Sequence, residues 1–193
     1  NYSSASDISA NGDVILGASG STIGTEGFIY KDGVMTGIGI PDEWLFSSIQ
    51  TISADGTTSA GVVGSPDARE AFVYKDDTLQ QIGDLLGSEH SSEAVSISGD
   101  GGIIVGWGHA ENGREAALWE MSDLVPKSIA DELFLSGIDI SLEGWSHLVE
   151  ATAISDDGST IVGWGRREGA EFGQAWIATI APVPVPAAAW LLV

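Results

Sequence analysis

The sequence contains no cysteine, which excludes disulfides, thiolate metal sites and cysteine nucleophiles together. Basic residues are scarce: 7 Lys and Arg stand against 28 Asp and Glu, for a formal charge of −21. A field of that sign repels nucleic acid and anionic membrane surfaces, so no nucleic-acid partner is expected. Only 6 prolines occur, and three of them crowd into residues 182–186. No apolar run reaches the ~18 residues that span a bilayer. The stretch from Ala187 to Val193 begins such a run and then stops, so membrane contact is expected only through a truncated C-terminal helix. Chemical motifs are thin as well. His90, His109 and His147 fall in unrelated stretches, without the His-Glu-x-x-His spacing of a zinc site, and read as surface or loop residues. Gly17-Ala18-Ser19-Gly20-Ser21 lacks the order of a nucleophile elbow. Gly106-Trp107-Gly108 and Gly163-Trp164-Gly165 lack the third glycine of a dinucleotide loop.

What is present is glycine, 26 residues of it, in a chain that is 43% hydrophobic. That combination describes a folded protein with many tight turns between short strands. One phrase occurs four times: Ile8-Ser9-Ala10-Asn11-Gly12, Ile52-Ser53-Ala54-Asp55-Gly56, Ile97-Ser98-Gly99-Asp100-Gly101 and Ile154-Ser155-Asp156-Asp157-Gly158. The spacings are 44, 45 and 57 residues. Asn-Gly or Asp-Gly between apolar runs predicts a hairpin with a two-residue type I′ turn, at Asn11-Gly12, Asp55-Gly56, Asp100-Gly101 and Asp157-Gly158. A short run ending in glycine follows: Val14 to Gly17, Ile103 to Gly106 and Thr160 to Gly163. In the second copy the run reads as Gly61 to Gly64, displaced by an insertion. Third strands are predicted at 27–30, 71–74, 116–119 and 174–177, and fourth strands at 34–38, 78–82 and 124–129.

The chain is therefore expected to be all-β, a tandem array of four-stranded antiparallel units of propeller-blade size. The units span approximately 1–45, 46–90, 91–146 and 147–180, with a Pro-rich linker and the start of an anchor segment over 181–193. Extra length in the third interval suits a short helix at Ser128–Phe134 with Ser128 as N-cap, and Pro41 suggests a helical turn over Ile40–Ser48. Asn1 is not Met and the fourth unit lacks a fourth strand, so the array is expected to be an incomplete propeller with further chain upstream.

These units resemble the HAF repeat, a bacterial extracellular repeat named for a His-Ala-Phe triplet. Glu70-Ala71-Phe72 is the nearest match, Glu26-Gly27-Phe28 and Glu115-Ala116-Ala117 are looser, and no copy has the histidine. A second resemblance lies in Val183-Pro184-Val185-Pro186-Ala187, which looks like the start of a VPLPA-type PEP-CTERM sorting signal, with Val185 in place of the usual Leu. Both resemblances imply an exported bacterial protein, extracellular or at the cell surface.

The leading functional expectation is a non-catalytic surface or matrix protein contacting exopolysaccharide or another surface protein. A carbohydrate-active enzyme on a propeller scaffold is the first alternative; it would need one unique acidic pair, whereas the acids here sit largely in repeated turns. A calcium-dependent scaffold is the second, with Asp55, Asp100, Asp156 and Asp157 as oxygen ligands for Ca²⁺ and no other cofactor implied. Trp107 and Trp164 hold equivalent places and read as packing between blades, whereas Trp145 reads as exposed and able to stack on a sugar ring.

Overall fold

The computed structural model describes residues 2–86 and 91–180. It contains fifteen strands and one helix in that span. The first unit holds β1 (Ser3–Ile8), β2 (Val14–Gly20), β3 (Thr25–Lys31) and β4 (Val34–Gly37). The second holds β5 (Phe46–Ile52), β6 (Thr58–Gly64), β7 (Arg69–Lys75) and β8 (Thr78–Gln81). The third holds β9 (Glu93–Ile97), β10 (Ile103–Ala110), β11 (Gly113–Glu120) and β12 (Pro126–Ser128), followed by α1 (Ile129–Leu135). The fourth holds β13 (Trp145–Ile154), β14 (Thr160–Arg167) and β15 (Gln174–Thr179).

Each unit is an antiparallel meander in which successive strands pair side by side. First strands line up from blade to blade, β1 against β5, β5 against β9 and β9 against β13. A parallel bridge between Thr25 and Phe46 links the first two blades, and the matching bridge between Arg69 and Ser91 links the next two. The described sheets form an open, propeller-like arc that does not close into a ring.

The core lies between blades because each sheet has two faces to bury. Phe72, Ile49, Leu16 and Trp44 fill the first interface. Trp119, Ile104 and Ile82 fill the second, and Leu118, Ile129, Leu133 and Trp176 fill the third. The helix forms as expected: Ser128 caps α1, its Oγ accepting from the Asp131 amide at 3.3 Å.

Three expectations about the backbone change. Residues 40–48 contain no helix, because β5 already starts at Phe46; Pro41 instead opens one tight turn, closed by the Trp44 amide on its carbonyl at 2.9 Å. No insertion displaces the second copy: Ala60 and Gly61 pair with Thr51 and Ile49 as Leu16 and Gly17 pair with Asp7 and Ala5. The strand run is Thr58-Ser59-Ala60-Gly61, disguised by two polar residues that are nevertheless buried. The third change concerns the repeated turns.

Candidate functional site

Those turns are four-residue loops, not two-residue type I′ turns. In the first, the Ser9 amide donates to the Val14 carbonyl at 2.9 Å and the Gly12 amide to the Ser9 carbonyl at 2.9 Å. Positive φ occurs at Gly12, Gly56, Gly101 and Gly158, but not at Asn11, Asp55, Asp100 or Asp157. The geometry is a type I turn followed by one left-handed glycine. Two-residue turns with positive φ at both positions occur elsewhere, at Asp32-Gly33 and Asp76-Asp77, between the third and fourth strands.

The serine of the phrase explains the preference for a larger loop. Ser53 Oγ accepts from the Thr58 amide at 3.0 Å and donates to Asp55 Oδ1 at 2.7 Å, which accepts in turn from the Thr57 amide at 2.9 Å. Ser9, Ser98 and Ser155 make the same pair of contacts, to Val14 and Asn11, Ile103 and Asp100, and Thr160 and Asp157. Serine hydrogen bonds, before any other cause, hold the Asp55 and Asp100 carboxyls below the usual carboxylate value and bring Asp157 down to about 2. Each carboxylate is thus engaged within its own turn. Asp156 is different: its carbonyl accepts from Gly99 at 2.9 Å, and its side chain is exposed. The structure brings none of the four acids into a shared ligand cage; among the described residues no group of three or more metal-ligating side chains occurs.

The turns meet around an axial groove of about 290 Å³, lined at equivalent places by Asp7 and Ile8, Thr51 and Ile52, Ser96 and Ile97, and by Ile154. Asp7 Oδ2 accepts from the Ile52 amide at 3.0 Å, so even this axial acid serves the neighbouring blade.

A second constellation crosses the blade interfaces. Arg69 pairs with Glu93 at 3.1 Å and Arg114 with Glu150 at 2.9 Å, each arginine reaching the first strand of the next blade. Arg114 also stacks over Trp107 at 3.9 Å, and Trp164 Nε1 donates to Glu150 at 2.7 Å. Trp107 and Trp164 therefore belong to one chain of contacts at the interface of the third and fourth blades. The sequence reading missed these ion pairs. Their signal was the repeat alignment: both arginines directly precede Glu-Ala, and both glutamates stand four residues before the Ile-Ser phrase.

The two described histidines, His109 and His147, are half-buried on strands and so depart from a surface or loop role. His109 lies on β10, with its amide donating to Asp84 Oδ1 at 2.9 Å, and His147 lies on β13, its Nε2 2.6 Å from the Arg114 carbonyl. Burial, opposed by three backbone donors, raises the pKa of Asp84. Trp145 is half-buried and sits under Arg167 at 5.2 Å, which removes it as a free stacking platform. His90 and the sorting motif Val183, Pro184, Val185, Pro186 and Ala187 lie outside the described residues.

These features define the class: an all-β, propeller-like repeat scaffold whose repeated polar residues lock turns and join blades. The chain is similar to TolB from Acinetobacter baumannii, with TM-score 0.61 and 14% identity over 92% of this chain and 40% of that one. It is also similar to a structure described as TolB from Agrobacterium tumefaciens, with TM-score 0.59 and 15% identity over 92% of this chain and 58% of that one. The likeness is one of fold, and the chain spans 40% and 58% of the length of these two relatives. No family model and no curated protein matches the chain.

Proposed function

We propose that the chain is part of an exported bacterial surface or matrix protein whose propeller is a non-catalytic, acidic binding scaffold. The observation that carries this reading is the use of the repeated acids. Asp55, Asp100 and Asp157 are held by their own turns, and Glu93 and Glu150 by arginines of the preceding blade. A glycosidase needs one unique carboxyl pair facing a substrate cleft, and these acids are neither unique nor free. Export rests on the HAF-like units and on the motif at Val183–Ala187. A net charge of −21 disfavours acidic polysaccharide at low ionic strength, so neutral and amine-bearing glycans are the matching ligands.

The test is a panel of neutral, amine-bearing and acidic polysaccharides, read for binding and for new reducing ends. Binding to the first two without new reducing ends is the expected result. A time-dependent rise in reducing ends overturns the non-catalytic reading, and secretion of the full open reading frame, followed by fractionation, tests export.

A further inference from the structure

The blade interfaces repeat their polar contacts in one direction, and the two ends of the arc hold the unmatched halves. At each turn the third residue of the phrase donates its N–H to the same residue of the next blade: Ala10 to Ala54, Ala54 to Gly99 and Gly99 to Asp156. The Asp156 N–H and the Ala10 carbonyl face no further blade among the described residues. The glycine two places on docks on the preceding blade. A Cβ at Gly56, Gly101 or Gly158 would meet the Cβ of Ser9, Ser53 or Ser98 at 3.3, 3.3 and 3.8 Å, whereas nothing lies within 4 Å of Gly12. In the first two interfaces the third strand also donates to a serine of the next blade, Gly27 to Ser47 and Ala71 to Ser92, each at 3.0 Å. Strand register gives Ala175 the place of the donors and Ser3, which is exposed, the place of the serines.

The apolar residues divide in the same way. Toward the next blade, the first three blades present the cross-strand pairs Leu16–Ile29, Ala60–Val73 and Val105–Leu118, and each pair packs into an interface core. The fourth blade has the matching pair Val162–Ile177, yet Ile177 is 72% exposed and Val162 37%. Toward the preceding blade, Phe72, Tyr74 and Leu79 of the second blade pack into the first interface. Phe28, Tyr30 and Met35 hold those places in the first blade, where Tyr30 and Met35 are exposed. Exposed apolar faces of this kind mark interaction sites. These two are the complementary halves of one blade interface, so a like-to-like contact would leave the Asp156 N–H without an acceptor. We propose that the fourth blade of one copy docks on the first blade of a second copy, head to tail. The Asp156 N–H then donates to the second copy's Ala10 carbonyl, the second copy's Gly12 seats against Ser155, and the second copy's Ser3 accepts from Ala175. Such a contact is heterologous, so the same interface serves a closed ring or a filament.

The net charge of −21 opposes association of like copies until salt screens it, so the test is run at high ionic strength. Sedimentation equilibrium of the unmodified chain should show a mass above the 20.0 kDa of one copy, rising with concentration. Ile177→Asp spoils one half of the contact and Met35→Asp the other, so each variant alone should be monomeric. Mixed, the two variants still offer one intact pair of faces and should form a one-to-one dimer that grows no further. A monomeric unmodified chain, association of either variant alone, or a mixture that stays monomeric would overturn the proposal. Because the sequence has no cysteine, disulfide trapping reads the register independently. A Cβ at Gly99 would lie 3.0 Å from that of Asp156, so the third residues of adjoining turns are within disulfide reach. Ala10→Cys and Asp156→Cys on separate copies should therefore pair, as Ala10→Cys and Ala54→Cys should within one chain. The mixed disulfide should form faster than the disulfide of either single variant with itself. Equal rates, or a preference for like pairs, would also overturn the proposal.

Discussion

The backbone N–H of Ala54 donates to the carbonyl of Gly99 at 2.9 Å, joining the same step of the turn in two neighbouring blades. Ala10 donates likewise to Ala54 at 3.0 Å, and Gly99 to Asp156 at 2.9 Å. The ladder therefore passes through all four repeats of the phrase at its most variable position, where Ala, Ala, Gly and Asp occur. Backbone groups make the bonds, so the side chain there can vary, although at Gly99 a Cβ would meet the Asp156 carbonyl at 3.1 Å. The glycine two places on interlocks as well: a Cβ at Gly101 would meet Thr58 at 3.2 Å and Ser53 at 3.3 Å in the preceding blade.

Ala54→Pro tests the ladder without disturbing the turn. Proline suits the second position of a type I turn, and by restricting the unfolded chain it would stabilise by about 0.4–1 kcal/mol if nothing else changed. It also removes the N–H that Gly99 accepts, which costs about 1–3 kcal/mol if that carbonyl stays unpaired. The expected outcome is net destabilisation in urea unfolding. A stabilised variant would show that the ladder contributes little to blade docking.

Ser53→Ala removes the acceptor for the buried Thr58 amide and the donor to Asp55. The cost should be about 1–3 kcal/mol, that of a buried donor left unmet. Ser155→Ala, in a more exposed turn, should cost less but should move a titration. The Asp157 pKa, about 2 in the fold against an ordinary 3.8, should rise towards the ordinary value, as followed by carboxyl NMR. The sign follows from the depressed value: the stabilisation is complete above pH ~4 and is lost as pH falls towards ~2. Asp84 carries the opposite sign. Its raised pKa removes stability as pH climbs through the folded-state value, so Asp84 and Asp157 bend the acid limb in opposite directions.

Much of the architecture was legible because the repeat supplies its own alignment. Four Ile-Ser-x-(Asn/Asp)-Gly phrases marked the hairpins, and the β-rich runs marked the strands. The turn type was not legible, because Asn-Gly and Asp-Gly satisfy the type I′ rule locally, while the preceding serine, through its bond to the amide five residues on, selects the longer loop. Thr58 and Ser59 hide the second run because two polar residues break its apolar pattern, although the interface buries both. The Arg–Glu pairs join residues more than twenty positions apart and leave no local pattern; only superposing the repeats would have shown them.

Gly61 separates two reasons for glycine in this chain. A Cβ there would lie 2.0 Å from the Ser48 carbonyl, opposite the bulge formed at Gln50 between Ile49 and Thr51. Gly17, Gly106 and Gly163 face the carbonyls of Ser4, Glu93 and Glu150 at the same 2.0 Å. Gly61→Ala therefore forces backbone apart and should cost about 3 kcal/mol or more. Gly12 has φ +78° and open space around it, so Gly12→Asn, which tolerates the left-handed region, should cost under about 1 kcal/mol. Chemical denaturation of the two variants checks the contrast, and similar costs would contradict it.

Chelation tests the alternative in which the turns hold calcium. A bound Ca²⁺ requires six to eight oxygen ligands, whereas Asp55, Asp100 and Asp157 lie in separate turns and each spends its Oδ1 on both a serine hydroxyl and a backbone amide two residues ahead. The melting temperature should be the same in EDTA and in millimolar calcium. A higher value in calcium, abolished by Asp100→Asn, would mean that the turns open their carboxylates to a metal.

Arg114 and Arg69 hold equivalent places but different surroundings, and the difference is measurable. Both pair with a glutamate that is 17% exposed, but only Arg114 has a ring stack among the described residues, over Trp107 at 3.9 Å. Lysine keeps the charge and loses the planar face that stacks and forks. Arg69→Lys should therefore be nearly neutral, as expected for a partly exposed ion pair. Arg114→Lys should cost about 0.5–1 kcal/mol more, the magnitude of a cation–π contact at a partly exposed site. Adding Trp107→Leu to each arginine variant completes the comparison. If the stack carries the difference, the gap between the two lysine substitutions closes once the Trp107 ring is gone; a gap that persists would assign it to the Glu150–Trp164 side of the interface instead.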